Sequence, residues 1–190
     1  MPTRHLILAS ASPRRLDLLR ATGLDPEVRI PDIDESPLPG EDPTAMVERL
    51  ACAKRDAVLA SITDGVNRRV VAADTVVVLD GVVLGKPSTP GIATAMLSRL
   101  SGRTHHVVTG VAVSGPADTA STTVSTEVTW RALSSAEIAT YVATGEPLDK
   151  AGGYGIQGGG ANFVTSLIGS RDNVIGLPVT TALDLLARVS

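Results

Sequence analysis

The sequence predicts one α/β domain with a mixed sheet over residues 1–190. Strand-like and helix-like stretches alternate along the whole chain, which is typical of α/β proteins. The dipeptide Asp80-Gly81 separates two apolar runs, as in a two-residue β-hairpin, so at least one strand pair is antiparallel. A chain of 190 residues can bury one sizeable core, or two small lobes that share a sheet.

Helix and strand signals place the elements in order. Residues 13–22 predict a helix that stops at Gly23, and Asp42-Pro43, Thr89-Pro90 and Pro178 each mark a later helix start. Ser134 and Glu137 form a capping box for another helix. Strands are predicted at 6–9, 70–79, 82–84, 107–113, 122–130 and near 163–164, with a glycine-rich loop over 145–160. The second helix is expected to bury one face, made of Met46, Val47, Leu50, Ala53 and Ala57.

The composition argues against several classes of protein, among them nucleic-acid-binding and membrane-spanning proteins. A net charge of −3, a pI of about 5.6 and 2% aromatic residues argue against a nucleic-acid-binding surface. Cys52 is the single cysteine, which excludes a disulfide framework and a thiolate zinc site. The first residues do not resemble a signal peptide, and no apolar stretch is long enough to span a bilayer. The expected location is the cytoplasm.

The segment Ser10-Ala11-Ser12-Pro13-Arg14-Arg15 follows the apolar run Leu6–Ala9. Ser12 is suited to an N-cap, and Pro13 to the first helical position. Free amides at that helix start and the two guanidinium groups would favour a phosphate, as in a triphosphate cradle. An ordinary capped surface helix with two solvated arginines fits this segment equally well.

Charged residues elsewhere suggest phosphate-ester chemistry with a divalent cation. Asp74 stands in an otherwise apolar strand, where it is either a base, a metal ligand or a structural carboxylate bonded to a turn. Lys54 and Lys86 are candidate phosphate ligands, although each alone is more typical of a solvated charge. The acidic loop over 31–42 offers carboxylates that suit Mg²⁺ or Mn²⁺, although by itself it is more typical of a solvated loop.

The glycine-rich segment 152–160 contains Gln157, whose amide can both donate to and accept from a base edge. So many glycines would let the backbone approach a ligand closely. Residues 153–158 match the pattern G-x-G-x-x-G, but a helix comes before them and a strand-like run after them, which argues against a Rossmann site. The adjacent His105 and His106 point to opposite faces of a strand and cannot chelate a metal together.

Seven segments, in order, resemble the Maf family of nucleoside triphosphate pyrophosphatases. They are Ser10–Arg15, Ile33-Asp34-Glu35, Ala73-Asp74-Thr75, Gly85-Lys86-Pro87, Leu100–His105, Tyr141–Gly158 and Asn173–Pro178. Together they span nearly the whole chain.

The resemblance implies an elongated twisted mixed sheet flanked by helices, with two lobes and a central cleft, as in inosine triphosphatase. It implies hydrolysis between the α- and β-phosphates of a nucleoside triphosphate, with Asp74 as the proton acceptor. Glu35 is the best candidate to hold a divalent cation, with Asp74 as its second ligand. An Asp74 that contacts the metal could not serve freely as the base at the same moment, so both roles of Asp74 stay open here. The implied substrate-binding residues are Ser10, Arg14, Arg15, Lys54, Thr75, Lys86 and Gln157. The resemblance also implies a homodimer. A regulatory role in cell division, without catalysis, is the alternative.

Substrate preference follows from three positions. The branch of the family that acts on dTTP and UTP carries Arg, Thr and Gln where this chain has Arg14, Thr75 and Gln157. A sister branch that acts on 7-methyl-GTP carries Trp, Gln and Glu there. The chain is similar to the first branch, but Arg171 stands where the family often has an aromatic residue after Gly169-Ser170.

Overall fold

The computed structural model describes residues 6–63, 68–116 and 118–189. Its strands are β1 (Leu6–Ala9), β2 (Glu27–Arg29), β3 (Arg69–Leu79), β4 (Val82–Leu84), β5 (Thr104–Ser114), β6 (Thr119–Trp130) and β7 (Val164–Ile168). The α-helices are α1 (Pro13–Arg20), α2 (Pro43–Ala60), α3 (Pro90–Leu100), α4 (Ser135–Ala143), α5 (Arg171–Ile175) and α6 (Val179–Arg188). Three short 3-10 helices cover Glu146–Asp149, Ala151–Gly153 and Gly159–Phe163.

The strands form one seven-stranded sheet in the order β2-β1-β3-β5-β6-β7, with β4 also paired to β3. β1 runs parallel to β2 and β3, whereas β3–β4 and β6–β7 are antiparallel. The predicted α/β class with a mixed sheet is therefore confirmed.

The chain groups into two compact units. The first contains the described residues up to Asp74, Thr109–Val124 and the described residues from Gly176 onward; the second contains Thr75–Val108 and Ser125–Ile175. Each of the long strands β3, β5 and β6 contributes one part to each unit. The single domain over 1–190, the elongated shape and the central cleft stay predictions.

The core of the first unit is organised around β1, all of whose residues are buried. Leu6 and Leu8 pack with Leu19 of α1 and with α6, while Ile7 and Ala9 pack with Val58 of α2. Alternate residues of a strand point to opposite faces, so a strand covered on both faces must be apolar throughout. This explains why the apolar run stops at Ala9, where the chain leaves the sheet.

The second unit begins with the β3–β4 hairpin. Asp80 and Gly81 both have positive φ, 52° and 76°, which gives the two-residue turn that the sequence predicts. Trp130, Tyr154 and Phe163 form edge-to-face ring contacts in the core behind the hairpin, and His105 joins them through Trp130 and Tyr154.

Three local expectations are corrected. Ser12 precedes α1 with extended backbone, but its side chain makes no capping hydrogen bond. α2 buries Lys54 and Val58 together with Met46, Val47 and Leu50, while Ala53 and Ala57 are only partly buried. β2 and α5 were not predicted, since they are only 3 and 5 residues long. Within the described ranges, none of the helices has the length and apolar character that crossing a membrane requires.

Candidate functional site

Polar and charged side chains of the first unit collect where β1 ends beside the middle of β3. The two strands are parallel, with Ala9 opposite Ala72, so Ser10 and Asp74 both lie just beyond that pair. Ser10 is 4% exposed and Asp74 8% exposed. Polar groups placed this deeply must be hydrogen-bonded or ion-paired, and their partners define the site.

Lys54 of α2 is the central cation. Its Nζ lies 2.6 Å from Asp74 Oδ1 and 2.8 Å from Glu35 Oε1. The side chains of Lys54 and Asp74 are 8% and 11% exposed, whereas that of Glu35 is 56% exposed. One ammonium group therefore links a buried carboxylate to a carboxylate at the surface.

Arg15 is buried and contacts Ser10. Its Nη1 donates to Ser10 Oγ at 3.1 Å, and its Nε donates to the carbonyl of Gly176 at 2.7 Å. Burial lowers the pKa of Arg15; Asp74 and Glu35 oppose this shift, and Arg14 adds to it. A guanidinium still stays protonated in a protein, so the site holds a fixed positive charge here.

Ser10 links the turn to this arginine. Its Oγ accepts from the backbone N–H of Ser12 at 3.1 Å and from Arg15. Both contacts use lone pairs, so the hydroxyl proton is left to donate. The hydroxyl-rich turn thus bonds its own backbone first and offers one O–H to a ligand.

The acidic loop is fixed to α2 by Arg49. Arg49 donates to both carboxylate oxygens of Glu41, at 2.6 and 2.7 Å, and to the carbonyl of Ser36 at 3.2 Å. The arginine lowers the pKa of Glu41 to about 2. Asp34 accepts from the backbone N–H of Ser36, which shapes the turn beside Glu35. The loop that carries Glu35 is therefore ordered rather than merely solvated.

The carboxylates around Lys54 are the candidate ligands for a divalent cation. The described residues contain no group of three or more His, Cys, Asp or Glu placed to hold a metal. Glu35 and Asp74 do converge on a common point, since both contact Lys54 Nζ. Two carboxylates fit Mg²⁺, which usually takes its other ligands from water and substrate phosphates. The residues present therefore suit a cation shared with a phosphate substrate.

The predicted site residues divide between the two units. The first unit brings together Ser10, Arg14, Arg15, Glu35, Lys54 and Asp74, linked by hydrogen bonds, ion pairs or charge interactions. The second unit holds Thr75, Lys86 and Gln157. Thr75 follows Asp74 in β3 and is half-buried, Lys86 follows β4 and is exposed, and Gln157 is exposed in the glycine-rich loop.

Three side chains hold the loop around Gln157, and sequence reasoning assigned none of them this role; Arg171 stands out in the sequence only as a departure from the family pattern. Tyr141 Oη accepts from the N–H of Gly155 at 3.1 Å, and Glu146 Oε2 accepts from the N–H of Gly159 at 3.0 Å. Arg171 Nη2 donates to the carbonyl of Ile156 at 3.2 Å. The glycines were the available signal for two of them, because Gly158 and Gly159 lie against Glu146 and Tyr141.

The sequence has many similar proteins. The Maf-like protein family matches residues 5–189. A protein of Moorella thermoacetica named dTTP/UTP pyrophosphatase is 52% identical over 186 residues, covering 96% of this chain and 93% of that protein. Proteins of the same name from Myxococcus xanthus and Shewanella denitrificans are 50% and 48% identical, covering 96% and 95% of this chain and 91% and 94% of those proteins.

Among solved structures, the Staphylococcus aureus Ham1 protein matches with a TM-score of 0.45 and 18% identity, covering 66% of this chain and 71% of that one. A nucleoside-triphosphatase (dITP/XTP pyrophosphatase) from Mycobacterium abscessus matches with a TM-score of 0.41 and 20% identity, covering 66% and 73%. The family match along nearly the whole sequence, with relatives at about half identity, is decisive: the chain belongs to the Maf-like protein family.

Proposed function

We propose that the chain is a nucleoside triphosphate pyrophosphatase, which cleaves between the α- and β-phosphates and releases a monophosphate and pyrophosphate. The observation that carries the proposal is the contact of a buried carboxylate, Asp74, with Lys54 beside the buried guanidinium of Arg15. Hydrolysis of a phosphoanhydride requires a base for water and fixed cations for the phosphates. The relatives named dTTP/UTP pyrophosphatase support dTTP and UTP as the preferred substrates.

Asp74 is the proposed proton acceptor. Its Oδ1 accepts a hydrogen bond from Lys54, and its Oδ2 is the oxygen that we propose as the base. That oxygen can accept a proton from water aligned with the α-phosphorus. Lys54 orients the carboxylate, so that the base is already positioned when substrate arrives.

Three cations of the first unit are proposed to hold the phosphates. Arg15 is preoriented by Ser10 and Gly176, which lowers the entropy lost when it binds an oxygen pair. Arg14 lies beside it, and Lys54 can offset charge on the oxygen nearest Asp74. Ser10 can donate its hydroxyl proton to a phosphate oxygen. Lys86 is proposed as a further phosphate ligand, on the basis of its position in the family motif.

Glu35 and Asp74 are the proposed ligands of Mg²⁺ or Mn²⁺. When bound, such a cation would offset charge on phosphate oxygens. Glu35 extends from the loop that Arg49 fixes, so this ligand is held near Lys54 before binding. Lys54 must then give up at least part of its contact with these carboxylates and can turn its ammonium to phosphate.

Thr75 and Gln157 are proposed to select the base. The amide of Gln157 can accept from N3–H and donate to O4 of a uracil or thymine ring. We place the reaction in the cytoplasm, as removal of surplus or noncanonical pyrimidine triphosphates (a house-cleaning role). A homodimer, without nucleic acid, is part of the same proposal.

The test is pyrophosphate release from dTTP, UTP, CTP, 7-methyl-GTP and the purine triphosphates, with Mg²⁺, with Mn²⁺ and with EDTA. We expect release that is strongest for dTTP and UTP, is abolished by EDTA and falls at least ~100-fold in Asp74→Asn. The exposed carboxylate variant Asp184→Asn, in α6, is the matched control. Binding without release by the wild-type protein would contradict catalysis and favour the regulatory alternative.

A further inference from the structure

The loop around Gln157 is held by side chains on both sides of this residue. Gly155 and Gly159 donate their N–H groups to Tyr141 and Glu146, and Ile156 accepts from Arg171. Backbone groups before and after Gln157 are therefore fixed, while its own side chain stays exposed. All of these residues belong to the second unit.

Tyr141 and Glu146 act as a pair. Tyr141 Oη donates to Glu146 Oε1 at 2.8 Å, which leaves its lone pairs for Gly155 and leaves Oε2 of the glutamate for Gly159. Tyr141 is 5% exposed, and burial raises its pKa, so the hydroxyl keeps its proton at neutral pH. The direction of this hydrogen bond is therefore settled.

The glycines of the loop are explained by this pair. A Cβ at Gly158 would lie 2.6 Å from Glu146 Cδ and 2.7 Å from Oε2, and one at Gly159 would lie 3.0 Å from Tyr141 Cε2. All three distances are shorter than ordinary van der Waals contact. The backbone can lie this close to the pair only because these positions lack side chains.

Arg171 holds the loop at a further point, the carbonyl of Ile156. Ile156 is 6% exposed, so its side chain is held in the core while its carbonyl accepts from the guanidinium. Lysine could not reproduce this contact with the same planar geometry. The arginine at this position thus has a role in the loop.

We propose that Tyr141, Glu146 and Arg171 are positioning residues for base selection, since they fix backbone groups between Gly155 and Gly159 and so restrict the orientations in which the Gln157 amide is presented. The proposal rests on the function proposed above. An amide that reads uracil as donor and acceptor reads cytosine when it is rotated by half a turn, because the two bases exchange these groups. Discrimination therefore requires an orientation that is held against rotation.

The main experiment compares kcat and KM for UTP and CTP in Tyr141→Phe, Glu146→Gln and Arg171→Met. Each variant removes one anchor, and we expect the UTP/CTP ratio of kcat/KM to fall about tenfold, which corresponds to about 1.4 kcal/mol. The loss should come mainly from a higher KM for UTP. Tyr154→Phe is the matched control, because it removes a buried hydroxyl that contacts His105 and not the loop backbone.

The same substitutions made in a Gln157→Ala variant test whether Tyr141, Glu146 and Arg171 act through Gln157. In Gln157→Ala the ratio should already be low, and adding Tyr141→Phe should not lower it further. An unchanged ratio in all three single variants would overturn the proposal. An equal loss for UTP and CTP, or the same loss in Tyr154→Phe, would also overturn it, since either result indicates a general structural defect.

Equilibrium binding of UTP and CTP to the same variants separates this proposal from the proposed function. If the wild-type protein binds UTP more tightly than CTP without hydrolysing either, the pyrophosphatase proposal fails, and loss of that preference in Tyr141→Phe still supports positioning. If the wild-type protein shows no preference in binding or turnover, the positioning proposal is wrong even where hydrolysis is observed.

Discussion

Lys54 and Asp74 are 20 residues apart in sequence and form a buried ion pair of 2.6 Å between α2 and β3. Lys54 lies four residues after Leu50 and four before Val58, which places all three on the inward face of the helix. From this buried position the ammonium of Lys54 reaches the carboxylate of Asp74 within β3. The same pair therefore joins two elements and orients the proposed base.

Lys54→Met should lower both stability and turnover. It leaves the Asp74 carboxylate buried without its partner, which is expected to decrease the free energy of unfolding by on the order of 3 kcal/mol. Urea unfolding at pH 7 measures this change. The double variant with Asp74→Asn should recover part of the loss, and simple additivity of the two variants would contradict a coupled pair.

His105 should make stability depend on pH between 6.5 and 4. It is 1% exposed, and burial, with a smaller contribution from His106, lowers its pKa from 6.5 to about 4. The unfolded chain therefore binds a proton first as the pH falls. The stability that this neutral histidine contributes is full above pH 6.5 and decreases toward pH 4, by on the order of 3 kcal/mol.

Measuring the free energy of unfolding of His105→Gln between pH 6.5 and 4 tests whether this histidine causes the pH dependence. The variant should lose the part of the pH dependence that comes from this side chain, even though it is less stable at pH 7. His106→Gln is the control, because its side chain is 53% exposed. Equal pH slopes in the wild-type protein and His105→Gln would refute the assignment.

Glu41 should affect stability in a lower pH range. Its pKa is lowered from 4.5 to about 2, first by the hydrogen bonds from Arg49. The stability that the ionised form contributes is full above pH 4.5 and is lost as the pH falls toward 2. Glu41→Gln should flatten this decrease in acid unfolding curves and should also weaken Mg²⁺ binding, because Arg49 and Glu41 fix the loop that carries Glu35. Glu48→Gln, on α2 beside Arg49, is the control.

Gly110→Ala should destabilise the first unit. A Cβ there would meet main-chain atoms of Val47 and lie 2.7 Å from the N of Glu48, so β5 and α2 would have to separate. We expect a loss of about 1–3 kcal/mol, seen as a lower urea midpoint. Gly91→Ala in α3 has only Thr89 Oγ1 near it, at 3.9 Å, and should be neutral or slightly stabilising. Comparable losses in both would indicate helix or strand propensity rather than crowding.

Local signals in the sequence predicted most of the fold. Asp42 caps α2 through hydrogen bonds to Thr44 and Ala45, and Ser134 and Glu137 form the expected capping box. These features depend on residues within one turn of each other, so their spacing alone determines them. The short β2 carries two charged residues and lies at the edge of the sheet, so it lacks the apolar run that marks a central strand.

The site was predictable as a set of residues but not as a set of contacts. A helical pattern drawn through the alanines put Ala53 and Ala57 inward, whereas Lys54 occupies the buried face because two carboxylates compensate its charge. Such compensation depends on residues distant in sequence. For the same reason the glycines of the loop suggested close approach to a ligand, while in the structure they lie against Tyr141 and Glu146.

The glycine-rich loop also determines where this protein can be retargeted by directed evolution. Tyr154 and Ile156 are core residues, and a side chain at 155, 158, 159 or 160 would meet atoms closer than ordinary contact. From 154 to 160, position 157 alone is open to a library of side chains. If Gln157 selects the base as proposed, a randomised library there would sample new base preferences on an unchanged scaffold, whereas side chains at its neighbours would force surrounding atoms to shift.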